Sequence, residues 1–166
     1  MYEEIISGLT TFIGKSPTAF HAVANMGAVL RENGYQRLNE GEAWDIRQDG
    51  KYYVTRNDSS IIALHIGSKI EDYSFKIAAS NSDSPTFKIK ENAEIQVNDR
   101  YMKLNTEGYG GMLCAAWFDR PLSVAGRVMV KEGDRYAARL LCVDRDLLLI
   151  PNMAIHMNRE VNNGYV

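Results

Sequence analysis

Apolar residues near the start of the chain recur at helical spacing. One stripe comprises Ile5, Ile6, Leu9, Phe12 and Ile13. A period near 3.6 residues is typical of an amphipathic α-helix, and Gly14 predicts where this first helix ends. Ser16 and Pro17 then predict the start of a second helix, because serine caps a helix N-terminus and proline suits the first helical position. Its end is predicted at Asn33 and Gly34.

After the second helix the pattern changes to short runs rich in β-forming residues. Residues 51–55 and 60–66 flank a polar cluster at 56–59, so together they predict a β-hairpin. Residues 75–79 are apolar or small apart from Lys76, which predicts another strand. This strand leads directly into a polar segment at 80–85.

Beyond residue 90 the chain reads almost entirely as strands separated by turn residues. One more strand is predicted just before this point, over residues 86–90. The strands predicted after it cover residues 94–97, 101–106, 113–118, 123–130, 136–143 and 147–150. A short helix is predicted over 153–159, after Pro151. The change of pattern near Glu91 predicts two structural units, residues 1–90 and 91–166, the first α/β and the second β-rich.

The charge of the chain is nearly balanced and evenly spread. It has 19 basic and 21 acidic residues, a net charge of −2, and the halves on either side of the 90/91 boundary each carry −1. A nucleic-acid or anionic-membrane partner requires a concentrated basic surface, which this pattern does not provide. We therefore expect neither of these partners.

The N-terminus and the cysteines bear on the cellular compartment. The chain begins with an acidic Met-Tyr-Glu-Glu and shows no secretory leader, and its apolar runs are too short to span a bilayer. Cys114 and Cys142 each lie in an apolar run. Two buried thiols in a reducing compartment are the favoured interpretation, with a disulfide as the alternative. A cytoplasmic location is the resulting expectation.

The polar segment at 80–85 is the most informative for chemistry. It follows an apolar strand, and open α/β sheets place their ligand sites at the carboxyl ends of strands. If the extended geometry continues, Asn81 and Asp83 point to the same side. By itself, however, a polar turn after a strand is more often structural than catalytic.

Residues 78–90, Ala-Ala-Ser-Asn-Ser-Asp-Ser-Pro-Thr-Phe-Lys-Ile-Lys, resemble the first metal motif of the aspartyl aminopeptidase family, which reads His-x-Asp-Ser-Pro. Further blocks resemble the same family in the same order, and these are residues 16–21, 34–38, 51–57, 109–111, 117–123, 125–128 and 151–159. The resemblance covers nearly the whole chain. It implies the first part of a catalytic α/β domain over 1–90 and the first part of a β-rich dimerisation domain over 91–166.

The resemblance also implies a function and a site. Members of the family remove N-terminal amino acids from peptides with two zinc ions, which activate water and polarise the scissile carbonyl. Asp83 would orient the metal-ligand histidine and support the metal-bound water. His156 would reach into the active site of a neighbouring subunit, which implies a homo-oligomer. Taken without the resemblance, His156 reads as a surface or helix-end histidine, and His21 and His65 as structural ones.

Two departures from the family pattern limit what this chain can do. The position of the family's zinc-ligand histidine is Asn81, and an amide oxygen is a much poorer zinc donor than an imidazole nitrogen. The remaining ligands and the catalytic glutamate of the family come from later segments than Val166. We therefore expect these residues alone to bind no zinc and to be inactive. A non-catalytic, self-associating or partner-binding module is the main alternative, and an unrelated small β-rich binding domain is the third.

Overall fold

A computed structural model describes residues 2–69 and 74–163 of the protein. It contains two α-helices and seven β-strands within those ranges. The helices are α1 (Tyr2–Gly14) and α2 (Ala19–Glu32), and the strands are β1 (Gln36–Arg37), β2 (Lys51–Arg56), β3 (Ser60–His65), β4 (Thr86–Val97), β5 (Tyr101–Tyr109), β6 (Ala125–Glu132) and β7 (Arg135–Cys142). The predicted α/β class is confirmed.

Both predicted helices are present, but the second begins two residues later than its sequence signal. Thr18, with extended backbone, is the N-cap, and its side-chain oxygen accepts a hydrogen bond from the backbone N–H of His21. Ser16 and Pro17 therefore precede the cap. The helix ends as predicted, since Asn33 is the C-cap and Gly34 takes the left-handed conformation with φ of +82°.

The predicted hairpin is also present. Strands β2 and β3 pair antiparallel, with Arg56 opposite Ser60 at the turn end, and β1 adds a short parallel edge to β2. The turn residues Asn57 and Asp58 both have positive φ, the conformation that a tight hairpin turn requires and that Asn and Asp tolerate well.

Two antiparallel ribbons contain the four remaining strands. In one, β4 and β5 pair antiparallel with a bulge between Ile89 and Glu94, so that the predicted strands 86–90 and 94–97 form one continuous strand. In the other, β6 pairs with β7 in uninterrupted register. A bulge inserts residues that the partner strand does not match and bends the ribbon locally.

Several local predictions are wrong. Residues 75–79 form no strand, because no other segment in the described ranges pairs with them, and a strand needs a hydrogen-bonded neighbour. Residues 113–118 contain a short 3-10 helix, Cys114–Trp117, instead of a strand. Residues 147–150 contribute only the isolated bridge between Leu122 and Leu148, and the predicted helix at 153–159 is a series of turns.

The cysteines also differ from expectation. Cys114 and Cys142 are both free thiols, and both are exposed rather than buried. Apolar neighbours in the sequence did not lead to burial, because Cys114 lies in the short 3-10 helix and Cys142 ends the exposed strand β7. The favoured interpretation of buried thiols is therefore wrong.

Contacts divide the chain into two compact units. The first unit comprises the residues up to Ser84 together with Ala125–Cys142, and the second comprises Pro85–Val124 and the residues from Val143 onward. Strand β4 includes residues 90 and 91, which lie within its bulge between Ile89 and Glu94. The assignment of 1–90 and 91–166 to two functional domains remains a prediction about the whole protein.

The core of the first unit is small. Ala22 and Val23 of α2 and Tyr52 and Tyr53 of β2 are the buried apolar side chains of the described residues. Adjacent strand residues point to opposite faces of a sheet, so of the two tyrosines it is Tyr53 that faces α2, where its hydroxyl accepts from Arg31. The apolar stripe of α1, by contrast, is exposed at four of its five residues, and Phe12 is half-buried. None of the helices in the described ranges is long and apolar enough to cross a membrane.

Candidate functional site

Asn81 and Asp83 lie side by side on an exposed segment of the first unit. The side-chain amide of Asn81 donates to the backbone oxygen of Asp83 at 2.6 Å and to its carboxylate Oδ1 at 3.3 Å. The structure thus brings together the two residues singled out in the sequence. It does so through a local turn rather than through the alternation of a strand, since no strand is present here.

Ser82, between them, ties this segment to the hairpin. Its hydroxyl donates to the backbone oxygen of Ser59 at 3.0 Å, and Ser59 is the last residue of the turn before β3. Asn81 and Asp83 flank this anchor on either side, so both are held near the turn end of the β2–β3 hairpin.

The donor set at this segment does not fit a pair of zinc ions. The amide nitrogen of Asn81 is turned toward Asp83, which leaves the weakly coordinating amide oxygen as the one possible metal donor of that side chain. A zinc site takes three or four strong N, O or S ligands. Nowhere in residues 2–69 and 74–163 do three or more His, Cys, Asp or Glu side chains group in a way that could hold a metal. No catalytic step through zinc can be derived from these residues.

His156 lies in the second unit, in an exposed turn. The backbone N–H groups of Met157 and Asn158 donate to the oxygen of Ala154 at 2.8 and 3.2 Å, which folds the chain around the histidine. A short turn of this kind presents the imidazole to solvent.

Asp119 positions the segment that leads to His156, a role that the sequence did not reveal. Its carboxylate accepts from the backbone N–H of Asn152 at 2.9 Å, and its own N–H donates to the oxygen of Ile150 at 3.0 Å. Asp119 adopts a positive φ of 55° to do so.

The two other histidines have structural surroundings. The Nδ1 of His21 lies 2.8 Å from the hydroxyl of Thr18, and partial burial lowers the pKa of this imidazole below its ordinary value. A lowered pKa follows from the cost of placing a cation in a less hydrated position. His65 is exposed at the end of β3, opposite Lys51.

The profile of one protein family matches almost the whole chain. The family is described as aminopeptidase I zinc metalloprotease (M18), and the match covers residues 12–165. Two curated relatives, each described as a probable M18 family aminopeptidase 2, come from Clostridium acetobutylicum and Pseudomonas aeruginosa. They are 47% and 43% identical over 165 and 166 residues, which is 98% and 99% of this chain. The chain spans 38% of the length of each.

Solved structures agree with this match. The cryo-EM structure of the Ape4 and Nbr1 complex contains a chain that superposes with a TM-score of 0.88 at 41% identity, over 94% of this chain and 30% of that one. The structure of Chaetomium thermophilum mApe1 superposes with a TM-score of 0.80 at 29% identity, over 94% of this chain and 36% of that one.

Proposed function

The chain belongs to the M18 family of zinc aminopeptidases, and from this premise we propose that the protein containing it removes N-terminal amino acids from peptides. The 47% identity to the Clostridium relative over 165 residues is the observation that carries the proposal. The chain spans little more than a third of that relative, so the activity is proposed for the whole protein.

Asp83 and His156 are the proposed functional residues of this part. The hydrogen bonds from Asn81 fix the backbone and the carboxylate of Asp83, which supports a positioning role for the carboxylate at the family's first metal motif. The anchoring of Asn152 by Asp119 supports a defined position for the turn that carries His156. We propose that His156 acts at the active site of a second copy of the protein, in a homo-oligomer.

We further propose that residues 1–166 by themselves hold no pair of zinc ions. The argument is the donor set, in which Asp83 has an amide rather than an imidazole two residues before it. Dialysis of the purified 166-residue chain against zinc, followed by metal analysis, should leave well under one ion per chain. Two tightly bound ions per chain would contradict this.

The activity experiment compares this chain with the complete gene product that contains it. Both are assayed on Leu-, Asp- and Glu-anilides with zinc present. The complete product should release the anilide and the 166-residue chain should not. Absence of turnover in a folded, zinc-loaded complete product would refute the aminopeptidase proposal. The matched variant Asp83→Asn in the complete product should lose most of its kcat, because an amide cannot replace the negative charge.

A non-catalytic, self-associating module is the second candidate function. The exposed apolar stripe of α1 favours it, because large uncovered apolar surfaces mark interaction sites. Sedimentation velocity on the 166-residue chain, combined with the activity assay on the complete gene product, separates the two proposals. A metal-free oligomer of the 166-residue chain, with no turnover by either the chain or the complete gene product, would favour the module.

A cytoplasmic location remains a proposal that rests on the sequence. It is supported by the two free cysteines, Cys114 and Cys142, since a reducing compartment keeps thiols unpaired. Fractionation of cells that express the complete gene product with a C-terminal tag tests it, and recovery outside the cytoplasmic fraction would overturn it.

A further inference from the structure

A cleft in the first unit opens between helix α2, the β2–β3 hairpin and the β6–β7 ribbon, and neither Asn81 nor Asp83 lines it. Its volume is about 260 Å³. We call it the arginine cleft and define it by the residues that determine its chemistry, Phe20, Val23, Arg31, Tyr53, Arg127 and Leu140.

Arg127 is held in place on one wall by neutral groups. Its guanidinium carbon lies 4.1 Å from the centre of the Phe20 ring, and its Nη1 donates to the backbone oxygen and side-chain oxygen of Asn57 at 2.7 and 3.2 Å. The side chain is half-buried, and within the described ranges no carboxylate pairs with it. A half-buried guanidinium paired only with neutral groups keeps an unsatisfied positive charge.

Arg31, which is more exposed than Arg127, contributes a second positive charge without a carboxylate partner in the described ranges. Its Nη1 donates at 2.8 Å to the hydroxyl of Tyr53, whose side chain is 1% exposed and therefore rigidly placed. Arg37, the third arginine of the lining, is different, because it pairs with Asp58 at 3.1 Å. Among the described lining residues Asp58 is the one carboxylate, so the cleft keeps two uncompensated positive charges, those of Arg31 and Arg127.

We propose that the arginine cleft binds a small dicarboxylate. Each guanidinium presents a planar fork of N–H donors that suits a carboxylate, and both forks are oriented before any ligand arrives. The apolar walls at Val23 and Leu140 suit a short hydrocarbon link between two carboxylates better than they suit a compact oxyanion. The volume is below the roughly 300–1,000 Å³ of pockets for drug-sized ligands, which favours a small molecule over a peptide. This proposal does not depend on the aminopeptidase function.

Calorimetric titration of the chain with succinate tests the proposal, with propionate and inorganic phosphate as comparison ligands at constant ionic strength. Succinate should bind at least about tenfold more tightly than either, because only it can satisfy both guanidiniums and fill the apolar walls. Arg127→Gln and Arg31→Gln should each weaken succinate binding by about tenfold or more, the usual effect of losing a charge-assisted contact. Arg139→Gln is the matched control, since Arg139 is on β7, pairs with Glu132 and does not line the cleft.

A second pair of variants tests the proposal without changing either arginine, in case the arginine variants fail to fold. Ala24 lines the cleft on the exposed side of α2, and both Glu and Gln are good helix formers of nearly equal size. Ala24→Glu should abolish succinate binding by supplying a competing carboxylate, and Ala24→Gln should largely retain it. The proposal is overturned if succinate does not bind, if phosphate or propionate binds as tightly, or if Ala24→Glu and Ala24→Gln behave alike.

Discussion

Two apolar parts of the first unit have opposite environments. Around α2 and the hairpin, Val23 and Tyr53 are 2% and 1% exposed. In the segment after the hairpin, Phe75 and Ile77 are 81% and 85% exposed, although their sequence pattern is that of a buried strand. The difference shows that an apolar run is buried only where another part of the chain supplies a surface to cover it.

Among truncations to alanine, that of Tyr53 should have the largest effect on stability. Tyr53→Ala removes a fully buried ring and its contact with Arg31, and large aromatic truncations in cores cost about 3–5 kcal/mol. Phe75→Ala is the matched control and should change the free energy of unfolding by less than about 0.5 kcal/mol, as exposed substitutions do. Urea denaturation measures both, and equal losses would erase the distinction between the two regions.

Removal of the α2 cap should have an intermediate effect. Thr18→Ala removes the oxygen that accepts from the backbone N–H of His21, and loss of such a cap costs about 1 kcal/mol. Thr18→Ser keeps the oxygen and should restore most of the loss. If Thr18→Ala were neutral in urea denaturation, the packing of α2 alone would account for the stability of the buried region.

Charge placed in the uncovered segment should change association more than stability. Ile77→Asp should shift the free energy of unfolding by less than about 0.5 kcal/mol, because the side chain is already hydrated. It should also reduce apolar-dye fluorescence and lower the weight-average mass in sedimentation. Val23→Asp, the control in the buried region, should instead unfold the chain. Unchanged dye binding and mass in Ile77→Asp would show that this segment is not a contact surface.

The smallest expected effect is the pH dependence that His21 contributes. Partial burial lowers the pKa of His21 in the folded chain, so the unfolded chain binds more protons below its ordinary pKa of about 6.5. Stability should therefore fall slightly as pH decreases from 7.5 to 5.5. The pKa of Glu40 is also lowered, mainly by its hydrogen bond from Arg56, but its effect lies below about pH 4.5 and outside this window. Denaturation of His21→Gln at both pH values should show a flatter response, and an identical slope would exclude His21 as the cause.

The candidate site was predicted in part. Asn81 and Asp83 were expected to lie close together because alternate residues of an extended segment point to the same side. The structure instead joins them through a local turn with a side-chain hydrogen bond. The Asp-Ser-Pro motif identified this segment, and it could be recognised in the sequence because its residues are consecutive. The contact between Asp119 and Asn152 was not predicted. The two residues are far apart in the chain, and the residues around each of them give no indication that they meet.

The sequence by itself determined the features that depend on neighbouring residues. These are the two helices, the hairpin with its Asn57-Asp58 turn, and the ordered motifs that place the chain in its family. Only the tertiary structure decided which apolar runs became buried, and it left residues 75–79 without a paired strand. It alone placed Arg127 of β6 on the ring of Phe20 and against the hairpin turn, since contacts between distant segments depend on how whole elements pack.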